Sequence, residues 1–286
     1  MFELMFPAFV ASMVLVGMHA YLGIHVIARG VIFVDLALAQ VAALGWAAAG
    51  LGISERLHSA IGIPEEVAGY AMGIGATLLA AGLLSITRMK HKYVPQEAII
   101  GIIYVVASAG TILLAAQAPR GSEHVEHLLT GSLLWVTWPQ IFKTAILYGF
   151  IGITHWFLRD RFFTISLHPD EARTHKWSLK WWDFVFYALF GMMVTSSVAI
   201  AGVLLVFSFL VIPAVIAFLF TEKRGPLLAI AWSTGGAAAV LGLIVSYQTD
   251  LPTGPVVVMA YAFALLAAFA VRAWLKREGK IPESAA

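Results

Sequence analysis

The chain has 286 residues and a formal net charge of +2; 60% of its residues are hydrophobic, 12% are charged and none is cysteine. Ordinary soluble domains carry charged side chains at about a quarter of their positions, so this composition excludes a conventional water-soluble fold. The lack of cysteine excludes disulfides, cysteine-ligated zinc and thiol nucleophiles.

The apolar residues come in repeated blocks of about 20, the helix length that crosses a roughly 30 Å hydrocarbon core. Backbone hydrogen bonds cannot stay open in lipid, so each block predicts a helix and the chain an all-α polytopic bundle, one transmembrane domain over residues 1–286. The first block has no basic segment before it and no small-residue cleavage site after it, so it is predicted to be a retained span and not a signal peptide. The nine predicted spans cover residues 6–28, 32–53, 67–87, 98–118, 139–158, 181–199, 203–221, 227–247 and 255–275. Only residues 200–202 separate the sixth from the seventh, so eight spans are the alternative.

Basic residues indicate the orientation, because Lys and Arg collect in the short cytoplasmic loops. All but three of the 18 fall on one face of the nine-span arrangement, which predicts an external N-terminus and a cytoplasmic C-terminus. The loops of the other face carry six acidic residues, which suits attraction of cations, although acidic residues are tolerated on either side. The three exceptions are Arg56, Arg120 and Lys143, and the acidic residues are Glu55, Glu65, Glu66, Glu123, Glu126 and Asp250.

Four stretches combine turn residues and polar side chains with apolar helices. They are GIHVIARGVIFVDLALAQVAALG at 23–45, LLTGSLLWVTW at 128–138, ISLHPDEARTHKW at 165–177 with AIAGVLLVFSFLVIPAVIAFL at 199–219, and SYQTDLPTGPVVVM at 246–259. Taken in this order, they resemble the permease subunits of the zinc, manganese and iron branch of ABC importers. The resemblance spans most of the chain and implies import of divalent transition-metal ions into the cytoplasm.

The segment near 165–177 lies in the longest predicted cytoplasmic loop. Pro169 fits the first turn of a helix, and the acidic residues after it complement the positive helix end. The resemblance implies that this short helix is the coupling helix that docks on the ATPase; an ordinary solvated loop helix is the alternative. The family usually has glycine after this helix, where this chain has His175 and Lys176. The predicted coupling residues are His168, Pro169, Asp170, Glu171, Ala172 and Arg173.

The second predicted span carries Asp35 and Gln40. A carboxylate at membrane depth is costly, so Asp35 is expected to face the bundle interior, a partner or a water path. The family pairs such an aspartate with a histidine four residues later; here Gln40 stands in that region, about 140° from Asp35 around a regular helix. Both are candidates for the ion path. The alternative for Asp35 is an interfacial residue bonded to backbone or to a basic partner.

His19 lies deep in the first predicted span, and His25 follows six residues later. Neutral imidazole ligates Zn²⁺, Mn²⁺ or Fe²⁺ without burying a charge. His19 is therefore the third candidate for the path, and either histidine could compensate for the one that Gln40 replaces. Hydrogen-bonded packing is the alternative for both.

The predicted outer loop contains a short cluster that could capture a divalent cation, because two of its histidines would share a face of one helical turn. Solvated surface is the alternative. The cluster lacks the spacing of a zinc hydrolase motif. Its members are Glu123, His124, Glu126 and His127.

No P-loop occurs in the chain, so ATP is expected to be hydrolysed by another polypeptide and this subunit is not expected to be an enzyme. The resemblance implies a cytoplasmic ABC ATPase, an extracytoplasmic metal-binding protein and a permease homodimer in the inner membrane, with the metal as cargo rather than a bound cofactor. No nucleic-acid partner is expected. The alternatives are a siderophore or cobalamin-type permease, which is usually longer, and a secondary transporter, which would need inverted repeats.

Overall fold

The computed structural model describes residues 2–87, 94–117, 131 and 133–278. Within these ranges the chain forms eleven α-helices and a short 3-10 helix at Leu133–Trp135. Eight of the helices are long and apolar enough to cross a membrane. The helices are α1 (Phe2–Arg29), α2 (Val34–Ala49), α3 (Ile53–Ile61), α4 (Glu65–Ile86), α5 (Gln96–Ala115), α6 (Trp138–Leu167), α7 (Pro169–Thr174), α8 (Leu179–Ala201), α9 (Val203–Phe220), α10 (Arg224–Thr249) and α11 (Thr253–Arg277).

The predicted span 32–53 is the one that departs from a single straight helix. It ends at Ala49, and α3 continues the chain after a bend of 60°. The turn between them contains Gly50 and Gly52, and Gly52 has a φ of 86°, which a residue with a side chain rarely adopts. The bent pair becomes a ninth membrane span only if α2 and α3 are counted together.

The pair predicted at 181–221 forms two helices, each apolar and long enough to span a membrane. Gly202 separates α8 from α9 with a φ of 75° and a ψ of 160°, a conformation that is essentially restricted to glycine. The uncertainty between eight and nine spans therefore lies at α2 and α3, and not at the position that the sequence suggested.

Two groups of helices make up the bundle. In the first, α2 packs against α4 and α5; in the second, α1 packs against α6, α9 and α10, and α11 covers α9 and α10. Helix α8 joins the groups, because it packs on α4 and α2 and also contacts α6 and α9. The backbones of α1 and α8 make few close approaches, and buried polar side chains connect these two helices instead.

Small residues allow the closest helix contacts, as is common in membrane bundles. A Cβ added at Gly45 of α2 would lie 2.6 Å from the carbonyl oxygen of Met72 in α4. A Cβ added at Gly23 of α1 would collide with the Leu210 carbonyl group of α9. These contacts involve backbone atoms, which cannot move aside as a flexible side chain can.

We predict that Gly23→Ala destabilises the purified protein, because the added methyl group forces α1 and α9 apart. Overpacking of this kind costs about 1–3 kcal/mol, which should appear as a lower melting temperature in detergent. Gly17→Ala in the same helix is the matched control, since nothing lies within 4 Å of a Cβ added there. Equal melting temperatures for the two variants would contradict the close contact.

Candidate functional site

Polar residues that are buried in the bundle gather where α1, α6 and α8 meet. A polar group in an apolar interior is costly unless it is hydrogen-bonded or has a functional partner, so this group is the leading candidate for a functional site. We call it the polar seam. Its members are His19, Tyr21, His25 and Arg29 of α1, Tyr148, His155 and Ser166 of α6, and Asp183 and Ser197 of α8.

His19 lies at one end of the polar seam and is fully buried. Its Nδ1 lies 2.7 Å from the carbonyl oxygen of Leu15, and its Nε2 lies 3.2 Å from the Ser197 hydroxyl. A carbonyl oxygen only accepts hydrogen bonds, so Nδ1 carries the proton and Nε2 carries the lone pair. Since the Ser197 hydroxyl also lies within 3.1 Å of the carbonyl oxygens of Met193 and Val194, its single proton has other acceptors, and the Nε2 lone pair remains available to a ligand.

Asp35 stands at the first turn of α2 and is 1% exposed. Among the described residues, neither of its carboxylate oxygens has a hydrogen-bond partner. The alternative of a bond to backbone or to a basic side chain therefore finds no support in this part of the chain, and a role of Asp35 in the ion path stays a prediction. The carboxylate lies within electrostatic range of the Tyr148 hydroxyl, which itself lies 3.4 Å from the Met193 carbonyl oxygen.

Gln40 is half-buried and lies on another side of α2, as the helical spacing predicted. The structure does not bring it together with Asp35. On the N-terminal side of His19, mostly apolar side chains of α1, α6 and α8 surround a small crevice. The crevice is lined by Ala11, Val14, Leu15, Ile141, Thr144 and Ile200.

Arg29 and Asp183 form a buried ion pair at the other end of the polar seam. The Nη1 atom of Arg29 lies 2.7 Å from Oδ1 of Asp183, and both side chains are nearly inaccessible. The Nε atom of Arg29 donates to the Ser166 hydroxyl at 2.8 Å, and its guanidinium carbon lies 3.9 Å from the centre of the Phe186 ring. This arrangement connects α1, α6 and α8 and satisfies a charge that would otherwise be very costly.

Between these two ends lie two further buried histidines. Nδ1 of His25 lies 3.0 Å from the Ser166 hydroxyl, and Nδ1 of His155 lies 3.3 Å from the hydroxyl of Tyr21. The Nε2 atom of each histidine is buried without a hydrogen-bond partner. Sequence reasoning considered His25 but missed His155, which lies in the extended second half of α6.

The predicted coupling segment forms a helix. Helix α7 has six residues beginning at Pro169, and it packs on α6 with Ala172 fully buried. His168, Asp170 and Glu171 are exposed. The helix therefore presents an acidic outer surface, and its position three residues after Ser166 ties it to the polar seam.

The turn after α7 has a backbone conformation that favours glycine. Lys176 has a φ of 54°, in the left-handed region. His175 stacks on Trp177 with ring centroids 5.0 Å apart, and Arg161 lies over the Trp182 ring at 4.8 Å. These contacts hold the exit from α7 in place although the chain has lysine where the family resemblance predicted glycine.

The predicted outer-loop cluster of Glu123, His124, Glu126 and His127 lies outside the described residues. Among the residues that are described, no group of three or more His, Asp or Glu side chains could hold a metal ion together. Within the described residues, the polar seam is thus not a closed metal-binding cage.

A bundle of apolar helices with a buried polar seam and an exposed short helix defines a multi-pass membrane permease. The chain matches the model of the ABC 3 transport family over residues 1–272, and it belongs to that family. This membership confirms the prediction of an ABC-type permease.

Relatives and a solved structure agree with the family match. The chain is 25% identical over 230 residues to the chelated iron transport system membrane protein YfeD of Yersinia pestis, covering 78% of this chain and 75% of the relative. It is 25% identical over 253 residues to the manganese transport system membrane protein MntB of Synechocystis, covering 84% and 81%. The structure of PsaBC from Streptococcus pneumoniae in complex with Fab aligns with a TM-score of 0.74 at 20% identity, covering 95% of this chain and 94% of that one, and so shares the fold.

We predict that Asp183→Ala destabilises the protein by about 3–5 kcal/mol, because it leaves Arg29 buried without its carboxylate. The double variant Arg29→Met with Asp183→Leu should recover most of this loss, since it removes both charges together. Thermal melting of each variant in detergent measures the effect. A double variant no more stable than Asp183→Ala would show that the pair is not the source of the loss.

Proposed function

We propose that this chain is the membrane permease of an ATP-driven importer for divalent transition-metal ions. The observation that carries the proposal is Asp35, a buried carboxylate without a hydrogen-bond partner beside the polar seam. An unpaired carboxylate at membrane depth is expensive, and a passing cation offsets that cost. His19 contributes an imidazole nitrogen with an available lone pair, which suits transition metals better than alkali ions.

The sparse ligand set supports transport rather than storage of an ion. Conduction requires that an ion binds well enough to enter and weakly enough to leave. One carboxylate and one imidazole on different helices meet that requirement, and Gln40 is an auxiliary oxygen donor farther along α2. The names of the relatives, which mention manganese and chelated iron, support transition metals as cargo.

The proposal includes the partners of an ABC importer. A separate ATPase binds the exposed face of α7 from the cytoplasm, an extracytoplasmic protein delivers the metal, and two permease copies form a homodimer. The outer-loop residues Glu123, His124, Glu126 and His127 assist capture on the delivery side. Residues 1–286 act as a single transmembrane domain, and ATP hydrolysis takes place on the partner.

The orientation follows from charge. The protein lies in the inner membrane with the N-terminus outside and the C-terminus in the cytoplasm, because the basic residues concentrate on the face that carries α7. Lys180, Lys223 and Arg224 lie on that face, together with the basic end of α11. In this orientation, α3 and its acidic residue Glu55 face outward.

Asp35→Ala should lower the initial rate of Zn²⁺ and Mn²⁺ uptake by about tenfold or more, since even the loss of a residue that hydrogen-bonds to a metal ligand costs about 10–100-fold. His19→Ala should have a similar effect. The measurement is ATP-dependent uptake of both radiolabelled ions into vesicles that carry the complete transporter at matched expression.

Thr111→Val is the matched control for the loss of a buried polar group. Thr111 is buried in α5 and bonds only to the Ala107 carbonyl of its own helix, so its uptake rate should equal that of the wild type. Wild-type uptake by both Asp35→Ala and His19→Ala would remove these residues from the ion path.

The charge reversal Glu171→Lys with Arg173→Glu should uncouple ATP hydrolysis from uptake while the permease still inserts and folds. The reason is that α7 is expected to meet the ATPase through its charged, solvent-facing surface. The equivalent reversal on α3, Glu55→Arg with Arg56→Glu, is the control on the opposite face. If the α7 variant retains both metal-stimulated ATPase activity and uptake, the docking contact lies elsewhere.

A further inference from the structure

We propose that His25 and His155 form a second binding station for a divalent cation, between the His19 region and the Arg29–Asp183 ion pair. The inference rests on the proposed function, because a station within the polar seam has a role only if ions pass along it. It adds a pair of ligands that neither the family match nor the relatives identify.

The geometry of the two rings fits a shared ion. Their centroids lie 6.2 Å apart, and both side chains are almost completely buried, at 0% exposure for His25 and 1% for His155. Metal–nitrogen bonds are about 2.0–2.1 Å long, so two imidazoles on one ion hold their ring centres roughly 5–6 Å apart. The observed separation of the ring centroids is therefore close to the one that a shared ion imposes.

The hydrogen bonds of the two rings leave the correct nitrogen available. Each histidine uses Nδ1 toward a hydroxyl group, which is Ser166 for His25 and Tyr21 for His155. Metal-ligating histidines almost always have their second ring nitrogen fixed in this way. The Nε2 atom of each ring is the buried atom without a partner.

The Ser166 hydroxyl favours the ligand form of His25. Arg29 always donates, so its Nε occupies one lone pair of the Ser166 oxygen at 2.8 Å and leaves a second for His25 Nδ1–H. We assign the proton of His25 to Nδ1 on this basis, and the lone pair therefore lies on Nε2. A protonated Nε2 would instead bury an unpaired donor, which costs about 1–3 kcal/mol.

The charges nearby make this station weak. Two arginines lie nearby: Arg29, which pairs with Asp183 at 2.7 Å, and Arg224, whose Nη1 lies 3.4 Å from Oδ1 of Asp160. The station offers two neutral nitrogens and no carboxylate, and Tyr21 adds only a half-buried hydroxyl. Nitrogen ligands favour zinc over manganese in the general order of affinities, so the station should hold Zn²⁺ or Co²⁺ in preference to Mn²⁺.

Position along α1 supports a sequential role. His25 lies six residues after His19, which corresponds to about 9 Å along the helix axis. An ion that leaves the His19 and Asp35 region toward the Arg29 end therefore meets these imidazoles next. The rings of Phe162, Phe163 and Phe186 pack against them.

The test uses asparagine, whose side-chain amide reproduces the Nδ1 position of histidine but has no atom at Nε2. His25→Asn with His155→Asn should keep the contacts to Ser166 and Tyr21 while deleting both ligand atoms. The purified permease is titrated with Co²⁺, whose visible absorption reports nitrogen ligation, and with radiolabelled Zn²⁺. We expect the double variant to lose one bound equivalent and the corresponding Co²⁺ absorption, and Asp35→Ala to retain both.

Two further variants guard against an effect of misfolding. Tyr21→Phe removes only the hydroxyl that orients His155 and should weaken Co²⁺ binding by about 10–100-fold. His58→Asn removes an exposed histidine of α3 and should leave the titration unchanged. If the double asparagine variant does not fold, the single variants His25→Asn and His155→Asn provide the same comparison, because each deletes one ligand atom.

Unchanged Co²⁺ absorption and Zn²⁺ stoichiometry in the asparagine variants would overturn the proposal. This outcome differs from failure of the proposed function, which would appear as absence of ATP-dependent Zn²⁺ and Mn²⁺ uptake by the wild-type transporter. If the wild-type transporter takes up both ions and the asparagine variants bind Co²⁺ and Zn²⁺ unchanged, the proposed import function stands and the second binding station is excluded.

Discussion

A buried charge in an apolar bundle must be paired, and the polar seam depends on that constraint. Arg29 at the end of α1 and Asp183 in the first turns of α8 lie 2.7 Å apart, out of contact with water. Few backbone contacts join these two helices, so the ion pair does much to determine how closely they approach. The same arginine orients Ser166, and through it His25, so one pairing fixes both the packing and the orientation of a candidate ligand.

The chemistry of the polar seam changes along α1. A mostly apolar crevice comes first, then His19 with the nearby carboxylate of Asp35, then His25 and His155, and finally the Arg29–Asp183 pair. None of these stages has enough ligands to trap an ion. A bundle that must release its cargo benefits from such a distribution, because strong binding at one point would slow departure.

Helix α7 is connected to the polar seam by a very short stretch of chain. Ser166 is the last but one residue of α6, and Pro169 begins α7. The buried Ala172 holds α7 on α6, while Asp170 and Glu171 are exposed to solvent. The segment that is proposed to meet the ATPase is thus continuous with a residue that bonds to Arg29 and His25, which gives a short physical route between the two.

The sequence by itself determined the class of fold, because block length and hydrophobicity are local properties that the bilayer selects directly. Eight of the nine predicted spans, the α7 helix and the separation of Asp35 from Gln40 were predictable for that reason. It did not predict the α2–α3 bend, the partner of Arg29, or the unpartnered state of Asp35. Those depend on which helices lie side by side, and Arg29 and Asp183 are 154 residues apart in the chain. Only the tertiary structure brought His155 beside His25, because helical spacing orders side chains within one helix and says nothing about the neighbour across the seam.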